Sequence, residues 1–232
     1  MNNEKKSIDV YSVIKPEIEK LIKYGSETAI LDCRILLAHA LCLTKPIYTH
    51  ENINISEKQI SDFQELIAER QNGKPVSRII KKKNFWKREF EINKETLDPR
   101  PDSEVIIEYF FKYYEDKSKQ LKILDLGSGS GCLGLSLLDE YQNSKVSFLD
   151  VSKKSLQAVK LNSLKFNVYE RTQLINLDWR SLDWDQKLLD IEKNIKFDVI
   201  VTNPPYIPST EINFLKKEVK YYEPLIALDG GE

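Results

Sequence analysis

The sequence is poor in the residues that form disulfide frameworks and metal centres. Its 232 residues include three cysteines, Cys33, Cys42 and Cys132, and two histidines, His39 and His50, scattered along the chain. A disulfide framework needs matched pairs of cysteines, and a structural zinc site needs four Cys or His ligands at short spacing. We therefore predict neither a disulfide framework nor a structural metal.

Long apolar runs and an excess of charge of one sign are also absent. Nowhere do about 18 uncharged apolar residues run together, and the first residues, "MNNEKKSIDV", lack the apolar core of a signal peptide. The chain has 35 basic and 36 acidic residues, a net charge of −1, which gives no overall attraction to nucleic acid or anionic lipid. The sequence predicts a cytoplasmic protein without membrane contact.

Apolar residues recur at helical spacing along three segments in the first third of the chain. The first segment ends at Gly25, which favours a left-handed turn, and the second covers residues 27–43. The third starts at Ser56, which forms a capping-box pattern with Gln59, and stops at Gly73. The apolar positions of the first and third segments are Ile14, Ile18, Leu21, Ile22, Ile60, Phe63 and Ile67. These segments predict a small all-α helical domain.

The pattern after this helical region favours strands. The stretch "NFWKREFEIN" is typical of two short strands joined by a charged turn. Pro99 and Pro101 exclude a regular helix at the next corner, and Asp102 or Ser103 is placed to cap a helix behind it. We predict a helical domain over residues 1–73, a β-hairpin linker over 74–98 and a second domain over 99–232.

The second domain alternates short apolar runs with helical segments. The runs are "LKILDLG", "KVSFLD", "TQLINLD" and "KFDVIVT". Such alternation indicates parallel strands joined by crossover helices. Ser152, directly behind the second run, is placed to cap the helix that follows. The predicted fold class is therefore α/β, with a doubly wound, Rossmann-like sheet.

A glycine-rich loop follows the first of these strands. Four of the 8 glycines of the chain, Gly127, Gly129, Gly131 and Gly134, fall in "GSGSGCLG" behind "KILDL". Glycine allows close backbone approach to a ligand, whereas a tight turn alone needs one or two glycines. Asp150 ends the next strand, where a carboxylate can hold the ribose hydroxyls of NAD or of S-adenosylmethionine alike. The pattern predicts a nucleotide-type cofactor loop.

The stretch "FDVIVTNPPYIP" favours methyl transfer over hydride transfer. The side-chain oxygen of Asn203 and the carbonyl of Pro204 are two acceptors, and Pro205 stiffens the turn without donating. Two acceptors suit a planar amino or amide NH₂, which hydride transfer does not require. Tyr206 supplies a flat wall. The competing interpretation is a stiff turn with no chemistry, which needs neither the Asn nor the Tyr.

These motifs resemble a known family. The chain resembles class I S-adenosylmethionine-dependent methyltransferases that modify planar nitrogens. The resemblance lies in "ILDLGSGSG", Asp150, "LDW" at residues 177–179 and "VTNPPYI". "NFWKREFEINKETLDPRPDSE" and "EVKYYEPLIALDGGE" more narrowly resemble the release-factor glutamine methyltransferases, the HemK family. The resemblance implies methyl transfer from S-adenosyl-L-methionine to the side-chain amide nitrogen (N5) of the glutamine in the Gly-Gly-Gln loop of peptide-chain release factors. S-adenosyl-L-homocysteine would be the product.

The resemblance also implies roles for individual residues. The methionine part of the cofactor would lie on Gly127, Ser128, Gly129, Ser130 and Gly131, the ribose on Asp150, and the adenine near Asp178 and Trp179. The substrate glutamine would lie on Asn203, Pro204, Pro205 and Tyr206, with Asn203 also at the cofactor and with Asn203, Pro204 and Tyr206 as the catalytic set. For Asp178 a turn-forming role also stays open, and for Trp179 a role in covering the edge of the sheet stays open.

The chain departs from the family pattern in two places. Family members usually continue past the stretch that matches "ALDGGE", whereas this chain stops at Glu232, so we expect a fragment of a longer polypeptide. The strand "FDVIVT" would then lie near a sheet edge with an apolar face. Ser128 stands where the family often has Thr, and it keeps the hydroxyl.

Three other interpretations remain open. Adenine or cytosine amino groups of DNA or RNA are planar too and would fit the same acceptors, although such enzymes normally need a basic cleft. The chain is also compatible with a non-catalytic binding module. Residues 74–88 hold seven basic residues and no acidic one; this stretch is either a weak ribosomal RNA contact or, more commonly, a solvated face.

Overall fold

The structure of the protein is a computed structural model, and it describes residues 6–193 and 196–232. Its contacts divide the chain into two compact units, one up to Ile80 and one from Lys81 to Glu232. The domain limits predicted from the sequence, 1–73, 74–98 and 99–232, stay a prediction. None of the helices within the described ranges has the length and apolar character needed to cross a membrane.

The first unit combines helices with one short strand pair. Its helices are α1 (Val10–Lys23), α2 (Ala29–Ala40), α3 (Glu57–Gln71) and α4 (Val76–Ile80), and its strands are β1 (Lys6–Asp9) and β2 (Asn52–Ile55). The predicted capping box of Ser56 and Gln59 is present at the start of α3. Gly25 and Gly73 follow α1 and α3 with φ of 84° and 85°. The three helices predicted from periodicity are thus confirmed.

The antiparallel pair β1–β2 was not predicted, so an all-α description of this unit is incomplete. Each strand has four residues, and the pair brings Ile8 opposite Ile53. A strand of four residues shows little alternation of apolar and polar residues, and the helices α1 and α2 separate β1 from β2 in the sequence. Buried apolar side chains that include Ile14, Leu36 and Phe63 form the core of the unit.

The second unit carries the α/β fold. Its strands are β3 (Lys82–Phe85), β4 (Arg88–Glu91), β5 (Lys122–Leu126), β6 (Lys145–Asp150), β7 (Thr172–Asn176), β8 (Val199–Thr202), β9 (Ile207–Pro208) and β10 (Asp229–Gly231). Its helices are α5 (Glu104–Tyr113), α6 (Cys132–Glu140), α7 (Lys153–Lys165), α8 (Trp184–Ile191) and α9 (Lys217–Tyr222). The strands β3 and β4 form the antiparallel hairpin that the sequence predicts.

Within the described part of the chain, four parallel strands form the central sheet in the order β7-β6-β5-β8. Helices α5, α6 and α7 contribute to an apolar core that includes Ile123 and Phe148 of the sheet. Leu188 of α8 packs with Leu124 and Leu149, which point to the other face of the sheet. Alternate residues of a strand face opposite sides of a sheet, so the helices cover both faces. The predicted doubly wound fold is confirmed.

The strand order places two loops side by side. In an open parallel sheet, ligands bind beyond the carboxyl ends of the strands, where the strand order reverses. Here β5 lies between β6 and β8, and Leu126 at the end of β5 pairs with Thr202 at the end of β8. The glycine-rich loop and the Asn203 loop therefore leave the sheet at the same level.

The strand β8 is the outer strand of this sheet within the described residues. Its Val201 is buried in the core, but Ile200 on the opposite face is 56% exposed. The edge position expected for "FDVIVT" is therefore observed.

Gly134 in helix α6 is required by packing. A Cβ at this position would lie 2.5 Å from the Phe148 ring and 2.9 Å from Oδ2 of Asp125. In an open helix, Gly→Ala stabilises by roughly 0.5–1 kcal/mol, but overpacking of a core costs roughly 1–3 kcal/mol. We predict that Gly134→Ala lowers the free energy of unfolding by about 1–2 kcal/mol, measured by urea denaturation.

The matched control is Gln157→Ala on the exposed side of helix α7. It should change the free energy of unfolding by no more than about 0.5 kcal/mol. A Gly134→Ala protein more stable than the unmodified protein would show that the contact between α6 and β6 is looser than described.

Candidate active site

A cavity of about 300 Å³ lies at the carboxyl ends of β5, β6 and β8. The glycine-rich loop, Asp150, Trp179 and the Asn203 loop line it. The loop before α5 and the segment around β10 complete the wall. All of these residues belong to the second unit.

The glycine-rich loop takes a backbone path that requires glycine. Gly127, Gly129 and Gly131 have φ of 74°, 53° and 79°, in the region that L side chains rarely adopt. A Cβ at Gly127 would lie 3.3 Å from the Trp179 ring. At Gly129 no atom lies within 4 Å of a Cβ position among the described residues, so this backbone faces open space. The loop therefore presents bare backbone to a ligand.

Asp150 connects the loop to the next strand. Its Oδ2 accepts a hydrogen bond from the Gly129 N–H at 2.8 Å, and its Oδ1 accepts one from the Ser152 N–H at 2.8 Å. Burial raises the pKa of this carboxyl above its ordinary value, and the two N–H groups oppose the rise. A carboxylate has about four lone-pair positions, so Asp150 can still accept from ligand hydroxyls.

Two further polar groups suit a ligand in this cavity. The Ser128 hydroxyl is buried and has no hydrogen-bond partner among the described residues. Asp125 is 2% exposed and accepts a hydrogen bond from the Gly134 N–H at 2.9 Å. Burial, with a smaller contribution from the charge of Asp150, raises the pKa of Asp125 to about 7. A buried hydroxyl without a partner costs free energy unless a ligand satisfies it.

The Asn203 side chain enters the cavity from β8. Its Nδ2 donates to Oγ of Ser103 at 3.2 Å, and the preceding Thr202 hydroxyl donates to the Leu126 carbonyl at 2.7 Å. Pro204 and Pro205 line the same cavity. The loop thus contributes to the same cavity as the neighbouring glycine-rich loop.

Tyr206 lies on a neighbouring cavity of about 210 Å³, which shares Asn203 and Pro204 with the first. The Tyr206 side chain is 73% exposed. Behind it, Gly230 of β10 packs so closely that a Cβ would lie 2.9 Å from Cα of Tyr206. Tyr206 therefore stands at the outer side of the loop, and β10 supports the loop backbone.

Buried Glu223 holds the loop before α5. Its Oε2 accepts from the Asp98 backbone N–H at 3.1 Å, and its Oε1 lies 3.2 Å from Nη2 of Arg100. The Glu223 side chain is 3% exposed. Asp98 and Arg100 line the cavity, so Glu223 supports one wall of it from a position far away in sequence.

Not every predicted residue lines the main cavity. Gly131 supports the loop instead, since a Cβ there would meet Leu135 and Val159. Asp178 accepts hydrogen bonds from Arg180, which holds the pKa of the Asp178 carboxyl below its ordinary value. Trp179 lines the cavity, but Asp178 is not among the residues that form its wall. The roles of these residues stay predictions.

The structure also brings to the site residues to which the sequence assigned no role there. Asp125, Arg100, Ser103 and Gly230 line the cavity, and Glu223 contacts Arg100. Asp125 carries a usable signal, because it is the one charged residue inside the apolar run "ILDL". The others reach the site by long-range contacts, which local spacing does not indicate.

Comparison with known proteins gives two family matches. The model of the methyltransferase small domain matches residues 101–218, and the model of the PrmC N-terminal domain matches residues 18–80. A release factor glutamine methyltransferase of Caulobacter vibrioides is 34% identical over 215 residues, covering 92% of this chain and 71% of the relative.

Other relatives are much longer than this chain. A bifunctional methyltransferase of Rickettsia conorii is 34% identical over 245 residues, covering 94% of this chain and 45% of the relative. The chain thus spans less than half the length of that protein. A solved structure, the SAM dependent methyltransferase from Agrobacterium tumefaciens, is 23% identical with a TM-score of 0.39, covering 46% of this chain and 33% of the other.

The raised pKa of Asp125 predicts a pH dependence of stability. A carboxyl with a folded-state pKa of about 7 binds its proton more tightly when folded, so its ionisation lowers stability as pH rises from about 4 through 7. Asp125→Asn keeps an acceptor for the Gly134 N–H and cannot ionise. Compared with the unmodified protein, we expect the stability advantage of the variant to grow by about 1–3 kcal/mol in free energy of unfolding as the pH rises from 5 to 8.

The measurement is urea denaturation without ligand at four pH values, with Asp185→Asn on the exposed start of α8 as the control. The control should follow the pH profile of the unmodified protein. An Asp125→Asn profile parallel to both would contradict the assignment of a raised pKa to this carboxyl.

Proposed function

Because the chain belongs to the family of the release factor glutamine methyltransferases, we propose that it transfers a methyl group to the side-chain amide nitrogen of a glutamine in a release factor. The family and its cofactor, S-adenosyl-L-methionine, are those that the sequence predicted. The glutamine of the Gly-Gly-Gln loop is the proposed acceptor, and peptide-chain release factors are the proposed partners.

The residues of the cavity fit this cofactor. When bound, S-adenosyl-L-methionine supplies an activated methyl group on a sulfonium. Bare backbone at Gly129 and the Ser128 hydroxyl would hold its methionine part, and Asp150 its ribose hydroxyls. Trp179 would cover its adenine, since its ring already packs on Gly127. Burial raises the pKa of the Asp125 carboxyl to about 7, and a cationic ligand would favour its ionised form.

The Asn203 loop would hold the acceptor glutamine. Oδ1 of Asn203 and the Pro204 carbonyl would each accept one proton of the substrate NH₂ and so align its nitrogen with the methyl group. Such alignment contributes roughly 7–11 kcal/mol in favourable cases. A substrate without N–H would leave both acceptors unpaired, at roughly 1–3 kcal/mol each, which gives chemical selectivity.

A single observation carries this proposal. The pairing of Leu126 with Thr202 brings the glycine-rich loop and the Asn203 loop to one cavity, which both line. A cofactor on one loop and an NH₂ group on the other would therefore meet within the same cavity.

The nucleic-acid alternative is less well supported, because the basic stretch is largely ion-paired. Lys82 pairs with Glu89 at 2.9 Å, Arg88 pairs with Asp139 at 2.6 Å, and Lys87 pairs with Glu140. Arg78 is 8% exposed. These contacts favour the solvated-face interpretation of residues 74–88, and a ribosomal RNA contact there stays a prediction.

The function is tested with three possible acceptors. Purified protein and methyl-labelled S-adenosyl-L-methionine are incubated with a release factor, with a release factor in which the Gly-Gly-Gln glutamine is replaced by alanine, and with DNA and RNA oligonucleotides. We expect label in the unmodified release factor alone. Label in an oligonucleotide instead would favour the base-modifying alternative, and no cofactor binding by calorimetry would favour a binding module.

Asn203→Ala separates chemistry from cofactor binding. The substitution removes one acceptor from the substrate NH₂ and leaves the glycine-rich loop and Asp150 unchanged. We predict that transfer to the release factor is abolished, while the cofactor dissociation constant, measured by calorimetry, stays within a few-fold.

Asn213→Ala on the exposed turn before α9 is the matched control. It removes an amide of the same size outside the cavity and should leave both quantities unchanged. Near-normal turnover in Asn203→Ala would refute the role of the amide.

A further inference from the structure

The Asn203 amide is anchored by a residue one hundred positions away in sequence. Its Nδ2 donates to Oγ of Ser103 at 3.2 Å, and Ser103 is 8% exposed. Within the described part of the chain, this is the hydrogen bond that the Asn203 side chain makes. Ser103 lines the same cavity as Asn203.

The Ser103 hydroxyl is available for a contact outside its own helix. Ser103 ends a 3₁₀ turn over Pro101–Ser103 that runs directly into α5, and its φ of −72° and ψ of −13° are helical. A capping serine needs a non-helical backbone, so the side chain makes no capping hydrogen bond and its oxygen accepts from Asn203. The sequence predicted that Asp102 or Ser103 caps the helix, whereas Ser103 makes a contact with the candidate site.

An amide side chain has two nearly isosteric ends of opposite character. If the Asn203 amide turned by 180°, its NH₂ would face the substrate NH₂, and two donors would meet. A hydroxyl can accept or donate, so the productive orientation is the one that pairs every group: Oδ1 accepts from the substrate NH₂, and Nδ2 donates to the Ser103 hydroxyl. The proline-rich backbone cannot make this choice, because prolines restrict the main chain and not the Asn203 side chain.

We propose that Ser103 is a positioning residue for the methyl transfer: its hydroxyl accepts from Nδ2 and so holds the Asn203 amide in the orientation that presents Oδ1 to the substrate nitrogen. This inference rests on the proposed function for its kinetic part. It assigns Ser103 no contact with the reacting atoms.

The loop that carries Ser103 is held on both sides. Glu223 binds the Asp98 N–H and Arg100 before it, and Glu104 directly after it accepts a hydrogen bond from the Trp86 N–H at 2.8 Å. A loop held in this way places the hydroxyl at a defined point. Ser103 can therefore restrain the rotation of the amide and supply the acceptor that Nδ2 needs in the productive orientation.

The kinetic test compares two variants of equal shape. Ser103→Thr keeps the hydroxyl and Ser103→Val replaces it with a methyl group, while Ser103→Ala removes it with less bulk. We expect Ser103→Val and Ser103→Ala to lower kcat with a release factor by about 3- to 10-fold, the effect of one neutral hydrogen bond. Ser103→Thr should stay within about 2-fold of the unmodified protein, and KM and the cofactor dissociation constant should change by less than about 2-fold in all three.

Asp102→Ala, at the exposed neighbouring position, is the control and should leave kcat within about 2-fold. A role for Ser103 in folding alone would lower stability without a selective loss of kcat. Equal kcat values for Ser103→Thr and Ser103→Val would overturn the proposal.

A second measurement does not depend on the substrate. In ¹⁵N-labelled protein, the side-chain amide signals of Asn203 are assigned by their absence in Asn203→Asp. We expect a high heteronuclear NOE for this amide in the unmodified protein and in Ser103→Thr, and a clearly lower value in Ser103→Ala. Equal values in all three would overturn the positioning role. If the unmodified protein methylated no release factor, the proposed function would fail, and this measurement would still decide whether Ser103 orients the amide.

Discussion

The site depends on the register between the strands β5 and β8. Leu126 lies opposite Thr202, and the Thr202 hydroxyl donates to the Leu126 carbonyl at 2.7 Å. Both strands therefore end at one level, and the next residues, Gly127 and Asn203, leave the sheet as neighbours. A shift of one residue would turn the side chains of β8 to the other face, because the side-chain period of a strand is two. Val201 would then leave the core, so the burial of the sheet itself protects the geometry of the site.

The charges around the cavity explain which kind of ligand it accepts. Its two arginines are neutralised by their own partners: Arg100 lies beside Glu223, and Arg180 lies beside Asp178. Asp125 and Asp150 are held by backbone N–H groups, and burial raises the pKa of both carboxyls. A cationic ligand would favour their ionised forms, because opposite charges in a buried site stabilise each other. The negative balance of this cavity thus agrees with a sulfonium cofactor better than with an anionic dinucleotide.

The sequence predicted those features that are encoded locally. The apolar runs of β5 and β8, the glycines at 127, 129 and 131, and the Ser56 cap each depend on neighbouring residues, and each was found where expected. The pair β1–β2 was missed because four-residue strands carry too little periodicity. Ser103 shows the other limit: its position predicted a helix cap, but a contact across one hundred residues determines what its hydroxyl does. Long-range contacts of this kind follow from the topology and not from local spacing.

A rigid backbone and an oriented side chain are separate requirements of the Asn203 loop. Pro204 and Pro205 restrict φ, and Gly230 supports the chain from behind, so the Pro204 carbonyl is fixed by the main chain. The amide of Asn203 retains its own rotation, and its two ends differ by only about 0.1 Å in bond length but have opposite hydrogen-bonding character. The proposed use of two acceptors side by side therefore requires that this rotation be held from outside the loop. Ser103 in the loop before α5 supplies such a contact, and Glu223 holds that loop through the Asp98 N–H and Arg100, although it is not itself among the residues that line the cavity.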